Sequence, residues 1–353
     1  MIFGSDNMLG ASQQVLDAIV RANAGLAASY GADDWCAQAT ARIAELFECP
    51  VEVFYVSTGT VANSLALSAL VPPWGSVLCH HQAHIVNDES SAPELFSGGA
   101  RLVPIVDASG KLGPAALSQA LATAPHPPHN VVPRALSLTQ ATECGLVYTP
   151  AEISALTKLA HENDLYVHMD GARFANAVAS LGCSPADVTW RAGVDVLCLG
   201  ASKNGALMAE AIVFFDTALA EDFAFRVKRA GQMAAKGRLF GAQFCGWLEN
   251  GHWLDLARHA NHMARDLSAA LNHVPGVGTV WPVDANEVFV VMPHALATRL
   301  RVDGAVFYDW HPSALPAGKT LVAGEVFVRL VCGFGTQPEQ IAALIEAASK
   351  HGV

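Results

Sequence analysis

Cysteine pairs with ligand or redox spacing are missing from this chain. Its eight cysteines, at 36, 49, 79, 144, 183, 198, 245 and 332, are scattered, with no Cys-x-x-Cys and no paired Cys/His spacing. That argues against a disulfide scaffold and a zinc module, and no bound metal is expected; the thiols read as reduced, mostly buried small hydrophobes. Basic charge is also scarce: 21 Lys and Arg stand against 32 Asp and Glu, giving a formal charge of −11. An acidic chain without a basic run is repelled by a phosphate backbone, so no nucleic-acid partner is expected. No stretch approaches about eighteen apolar residues without a polar break, which excludes a membrane-spanning helix as an expectation. The first twenty residues hold Asp6 and Asp17 but no Lys or Arg; without a basic-then-apolar leader, a cytoplasmic location is expected. No Gly-x-Gly-x-x-Gly follows the first strands, which counts against a nucleotide-dependent Rossmann protein.

What is abundant is apolar residue: 52% of 353 positions, against 15% charged. Such a chain can bury a large interior, and the excess suggests a subunit interface as well. Short apolar runs at 51–56, 76–78, 101–106, 135–139, 165–169, 194–199 and 211–215 alternate with helical patterns at 12–28, 64–70, 113–124 and 150–163. Thr149 and Glu152 stand at capping-box spacing before the last of these. Alternation of this kind predicts an α/β fold with a mostly parallel, doubly wound sheet. An amphipathic helix over 249–271 then leads to strands at 288–292 and 327–331 and a helix at 338–350, an α+β plan. We expect a large domain at 1–245 and a smaller C-terminal domain at 246–353.

Two polar interruptions carry the chemistry. The runs at 165–169 and 194–199 end in His168-Met169-Asp170-Gly171-Ala172-Arg173 and in Ser202-Lys203-Asn204-Gly205. An acid and a lysine therefore stand at the carboxyl ends of two strands, the edge where open α/β sheets bind ligands. Earlier, the strand at 51–56 breaks into Ser57-Thr58-Gly59-Thr60. Turn amides, hydroxyls and a helix dipole facing one point make an anion site, though helix capping alone explains the same four residues. His80, His81 and His84 invite a metal reading without a third ligand at a telling distance; an imidazole at 84 stacked on a flat cofactor, with Glu89 in support, competes with it. His126 and His129 sit in a Pro/His-rich loop at 125–133. The basic group Arg226, Lys228, Arg229, Lys236 and Arg238 reads as a solvated helix face. Taken together, Lys203, Asp170, the 57–60 turn and His84 meet the needs of pyridoxal 5'-phosphate: an amine for its Schiff base, a carboxylate for its ring nitrogen, a phosphate cup and a flat partner. Arg173, and Arg329 at the end of an apolar strand, suit the carboxylate of an amino-acid substrate.

Along its whole length the chain resembles the threonine aldolases, in the β-eliminating-lyase group of type I pyridoxal-phosphate enzymes. The resemblance rests on Ser5-Asp6-Asn7, 30–35, 57–60 with Asn63, His84, Glu89, 168–173 and Ser202-Lys203. It implies a homotetramer with active sites shared between subunits, Lys203 as the cofactor-bearing lysine, Arg173 near both cofactor and substrate, and Ser5, Tyr30 and Arg329 around the substrate. It also implies that Lys228 or Arg229 reaches a neighbour's phosphate. The implied reaction is reversible retro-aldol cleavage of L-β-hydroxy-α-amino acids to glycine and an aldehyde, with His84 and His129 as candidates for the base. Many relatives have Glu-Asn-Thr-His-Asn where this chain has Thr139-Gln140-Ala141-Thr142-Glu143, and a glycine-rich segment where it has Asn204-Gly205-Ala206-Leu207; both look like the low-specificity or phenylserine-cleaving branch. Another reaction on the same scaffold, β-elimination or transamination, is the alternative, and a non-enzymatic binding module the more distant one.

Overall fold

The computed structural model describes residues 1–123 and 126–351; the expected helix end at residue 124, the first residue of the 125–133 loop and the last two residues lie outside them. Seven strands form the larger sheet: β1 (Glu52–Val56), β2 (Gly75–His80), β3 (Arg101–Ile105), β4 (Val132–Thr139), β5 (Tyr166–Gly171), β6 (Val196–Gly200) and β7 (Glu210–Phe214), in spatial order β1-β7-β6-β5-β4-β2-β3. All run the same way except β7, which is antiparallel to both neighbours. The sheet is thus mostly parallel, as expected. β6 and β7 are buried at every position, which is why β6 and, after Glu210, β7 read as unbroken apolar runs rather than alternating ones.

Side chains from alternate positions divide between two cores. Met169, Leu197, Leu199 and Val213 pack on one face of the sheet, while Cys198, Val196, Ile212 and Phe214 meet the helix Gly59–Leu70 on the other. Because strand residues alternate faces, His168 and Asp170 share the second face. His168 is fully buried there, with Nδ1 2.9 Å from Ser137 Oγ and Nε2 3.3 Å from Cys198 Sγ. Burial pushes its pKa down to about 4, so it is a neutral structural imidazole beneath the acid.

Four more strands, β8 (Gly278–Thr279), β9 (Glu287–Pro293), β10 (Tyr308–Asp309) and β11 (Glu325–Val331), form an antiparallel sheet in the order β10-β11-β9-β8 with its own core. The helix His252–Leu271 joins the two bodies: Trp253 and Ala257 pack in the large core, Met263, Leu267 and Leu271 in the small one. The N-terminus belongs to the small body, since Phe3 accepts from Val331 N and donates to Val306 O. Residue 245 falls inside the helix Arg238–Leu248, whose Phe240, Phe244 and Trp247 remain in the large core.

Among the helices that escaped the sequence reading are two beside the large sheet, while His294–Val302 and the short Ala92–Phe96 escaped it as well. Phe174–Leu181 follows the acid-bearing strand at once, and Arg238–Leu248 is buried along most of its length, so neither presents the one-sided periodicity of a surface helix. Gly59–Leu70 starts five residues before the expected Ser64, because Thr58 caps it by accepting from Val61 N. Among the described residues no helix is long and apolar enough to cross a membrane.

Glycine is required where β5 delivers its acid to the edge. A Cβ on Gly171 would stand 2.7 Å from Cys198 O and 2.8 Å from Leu197 Cδ1. Gly171→Ala should therefore destabilise the fold by about 1–3 kcal/mol through overpacking, read as a lowered urea midpoint; an unchanged midpoint would refute the close approach.

Candidate active site

The carboxyl end of the large sheet opens into two adjoining cavities. The larger, about 330 Å³, is lined by the 57–60 turn, Asn63, His84, Glu89, Asp170, Lys203 and Glu210, among others. A smaller one of about 190 Å³ takes in Ser5, Arg173, Trp310 and Arg329 and shares Asn7, His84, Glu143 and Lys203 with the first. The strand-end acid and lysine, the anion turn and both arginines are thus gathered at one place by a single chain.

Asp170 is 5% exposed and fixed through both oxygens: Ala172 N donates to Oδ1 at 3.0 Å and Asn63 Nδ2 to Oδ2 at 2.9 Å. The same amide nitrogen donates to Glu89 Oε1 at 2.9 Å. Glu89 in turn sits 2.8 Å from His84 Nδ1, so a continuous polar chain runs His84, Glu89, Asn63, Asp170. The hydrogen bond that His84 donates to Glu89 outweighs burial and holds the His84 pKa above its ordinary value. Burial pushes the Glu89 carboxyl up. The helix Gly59–Leu70 supplies Asn63 because the fifth residue of a helix that starts at the cavity floor faces back along it.

The turn itself is divided in its commitments. Ser57 gives its amide and hydroxyl to Gln232 Oε1, at 3.1 and 2.8 Å. Thr58 caps the helix, while Gly59 and Thr60 stand in its first turn, where backbone amides lack intrahelical partners. A Cβ on Gly59 would meet nothing within 4 Å, so the turn is open on the cavity side. Capping and anion binding, alternatives in the sequence, use different groups here and are compatible.

Two arginines of the smaller cavity belong to a buried ion cluster. Arg173 donates from Nε to Asp6 Oδ2 at 2.8 Å and from Nη2 to Asp6 Oδ1 at 3.2 Å, and its Nη2 lies 3.4 Å from Glu287. Arg329 reaches the same Glu287 oxygen at 3.3 Å and stacks over Trp310 at 4.1 Å. Asn286 adds a donor to Asp6 at 3.1 Å. Burial disfavours ionised Asp6, but Arg173 and Lys203 overcome that and lower its pKa. Asp6, Glu287 and Trp310 went unassigned in the sequence, although Asp6 lies within the quoted Ser5-Asp6-Asn7. Glu287 begins a strand in the other body, and its pairing depends on tertiary contact alone. Of the 139–143 segment only Glu143 enters the cavities; Gln140 is wholly buried and pairs with both backbone groups of Tyr148.

Three expected site residues are not brought to these cavities by their own chain. His129 is exposed and stacks on His126, ring centres 5.5 Å apart. Arg229 is exposed in the last turn of the helix Phe223–Arg229. Tyr30, 54% exposed, lies under Lys228 at 5.0 Å and lines a separate cavity of about 730 Å³ with Gln232 and Phe240. The three neighbouring histidines also diverge: His80 Nε2 is 2.8 Å from Asp107 O, whereas His84 turns to Glu89.

Comparison with known proteins bears on this geometry. Residues 3–295 match the family described as beta-eliminating lyase. A low specificity L-threonine aldolase of Pseudomonas sp. (strain NCIMB 10558) is 43% identical over 97% of this chain and 95% of its own. The protein of that name from Pseudomonas aeruginosa gives the same identity and coverage. Among solved structures, a threonine aldolase of Leishmania major superposes with a TM-score of 0.91 at 29% identity, covering 99% of this chain and 98% of the other.

The ion cluster makes a prediction independent of activity. Asp6→Ala leaves Arg173 buried with one partner fewer and should cost about 3–5 kcal/mol, measured by chemical denaturation. A carboxyl whose folded pKa is lowered adds stability that is present above its unfolded value of about 3.9 and lost as pH falls through the folded one. Acid unfolding should accordingly be less steep in Asp6→Asn than in the parent; equal steepness would show that Asp6 is not ionised in the fold.

Proposed function

The chain belongs to the beta-eliminating lyase family, and from that premise we propose that it binds pyridoxal 5'-phosphate at Lys203 and cleaves L-β-hydroxy-α-amino acids reversibly to glycine and an aldehyde. Threonine, allo-threonine and phenylserine are the substrates proposed. The observation that carries the reading is the meeting of Lys203, Asp170 and the open 59–60 turn in one cavity, with Arg173 and Arg329 in the cavity beside it. This donor set fits the cofactor. Asp170 would be the anionic partner of a ring nitrogen, Lys203 the amine for an aldehyde, the turn amides the phosphate donors, and His84 a flat partner for the ring. When bound, the cofactor supplies an electron sink for the pair left at Cα.

The residues of the chain do the rest. Arg173 and Arg329 bind the substrate carboxylate, and their guanidinium groups are already oriented by Asp6 and Glu287. Fixing that carboxylate beside Lys203 would set how the substrate's Cα is presented and so which of its bonds is broken, Cα–Cβ for cleavage. Asn63 holds Asp170 in place through its amide. His84, gripped by Glu89, is the imidazole of this chain that lines both cavities, and it assists proton transfer at the β-hydroxyl. His129 reaches a hydroxyl only if a neighbouring subunit brings it there. The same holds for Arg229 at a phosphate and Tyr30 at substrate, which is the support for a tetramer with shared sites.

Incubation with threonine or phenylserine should yield glycine and the matching aldehyde. A keto acid without glycine would instead establish β-elimination or transamination. Lys203→Ala should lose the borohydride-trapped pyridoxyl adduct, read by peptide mass spectrometry, and nearly all turnover. An adduct retained on another lysine would refute the assignment.

A further inference from the structure

Glu210 has no place in the chemistry described so far, yet it lines the cofactor cavity. Its position follows from the one reversed strand of the large sheet. β7 runs antiparallel, so its first residue, not its last, reaches the ligand edge. There Glu210 stands opposite Val56, which precedes the 57–60 turn, and opposite Gly200, which precedes Ser202-Lys203. Ser202 Oγ donates to Oε1 at 2.6 Å, and Ala209 N donates to Ser202 Oγ at 3.1 Å. Oε2 lies over Gly200, 3.0 Å from where a Cβ at that position would be. A carboxyl that is 7% exposed is therefore clamped between the anion turn and the lysine, where an anion is the expected occupant.

We propose that Glu210 is a positioning residue that holds a proton on Oε2 when the phosphate of the cofactor occupies the 57–60 turn, taking that proton from solvent as the cofactor binds. This rests on the reading of the cavity as a pyridoxal-phosphate site. Two negative charges in a shared low-dielectric pocket cannot both persist at low cost, and the carboxyl is the one able to neutralise itself. Burial already lifts its pKa to about 7, so the proton is within reach near neutral pH. The charged groups that bear on it are Lys203, which favours the ionised form, and Asp170, which favours the neutral one; Cys198 on β6 is a fully buried thiol whose own ionisation the carboxylate opposes. From β1, the turn and the following helix, the cavity-lining neighbours Ser57, Thr58, Thr60 and Asn63 are uncharged.

Binding that takes up a proton weakens as pH rises through the pKa of the unbound state. The test is the dissociation constant of the cofactor-stripped full-length protein between about pH 6 and 9, for wild type and Glu210→Gln, with pyridoxal 5'-phosphate and with pyridoxal. Relative to Glu210→Gln, the wild type should lose phosphate-cofactor affinity above pH 7, approaching about tenfold per unit, while the ratio for pyridoxal stays level. A ratio independent of pH, or one that rises equally for pyridoxal, would overturn the proposal. No variant is needed for a second measurement. Near pH 8 the free phosphate is already a dianion (second pKa about 6), and calorimetry in two buffers of different ionisation enthalpy counts protons. Greater uptake with the phosphate compound than with pyridoxal supports Glu210, and equal counts overturn it. A protein that captures neither compound at Lys203 overturns the reading of the cavity and this proposal together.

Discussion

The buried contact between Arg173 and Asp6, extended through Glu287 to Arg329, holds together the part of the molecule around the smaller cavity. Each member comes from a different part of the chain: Asp6 from the tail beyond Phe3, Arg173 from just past β5, Glu287 from the start of β9 and Arg329 from within β11. A guanidinium that is 5% exposed is costly unless its donors are met. The tail, the large sheet and the small sheet are consequently obliged to assemble in one arrangement before Arg173 is satisfied. That assembly is also what creates the smaller cavity, so the polar cost of folding and the geometry of the site have one origin.

A second polar chain runs along the larger cavity, and it is built differently. Asn63 is a neutral residue between two carboxylates, and it spends both hydrogens of its amide on them. Neutral donors stabilise neighbouring anions without adding a charge that would itself require a partner in the interior. Lysine in that position would meet both acids as well, but would compete with Lys203 for the same electrostatic role. The arrangement leaves Asp170 held from two sides while His84 is controlled from the far end through Glu89.

How far the sequence foretold this depends on where each residue's partner lies. Asp170 and Lys203 were legible because a buried parallel strand is a continuous apolar run, and a charged residue that ends one can only be at the edge of the sheet. The capping box at Thr149 and Glu152 was legible because both partners sit within one turn, and the structure makes both of its hydrogen bonds. Glu287 was not, because a glutamate opening a strand looks like any strand boundary until two arginines from elsewhere are seen to converge on it. Tyr30, His129 and Arg229 mark a different limit. Tyr30 and Arg229 drew on resemblance to shared-site enzymes and His129 on the fact that imidazole titrates near working pH, and one chain leaves them on its surface or in another cavity.

The reversed strand explains why the edge is so rich in function. In an all-parallel sheet only residues at strand C-termini and the loops after them reach the ligand edge. Reversing β7 between β1 and β6 brings a strand's first residue into that row, flanked on one side by the strand that leads to the anion turn and on the other by the strand that leads to the lysine. β7 itself is buried at every position and hydrogen-bonded on both sides, so the side chain at that position is held by rigid backbone rather than by a loop. An ionisable group placed there stands between the 57–60 turn and the lysine, and the strand direction, more than the residue's distance in sequence from any motif, is what decides that it should.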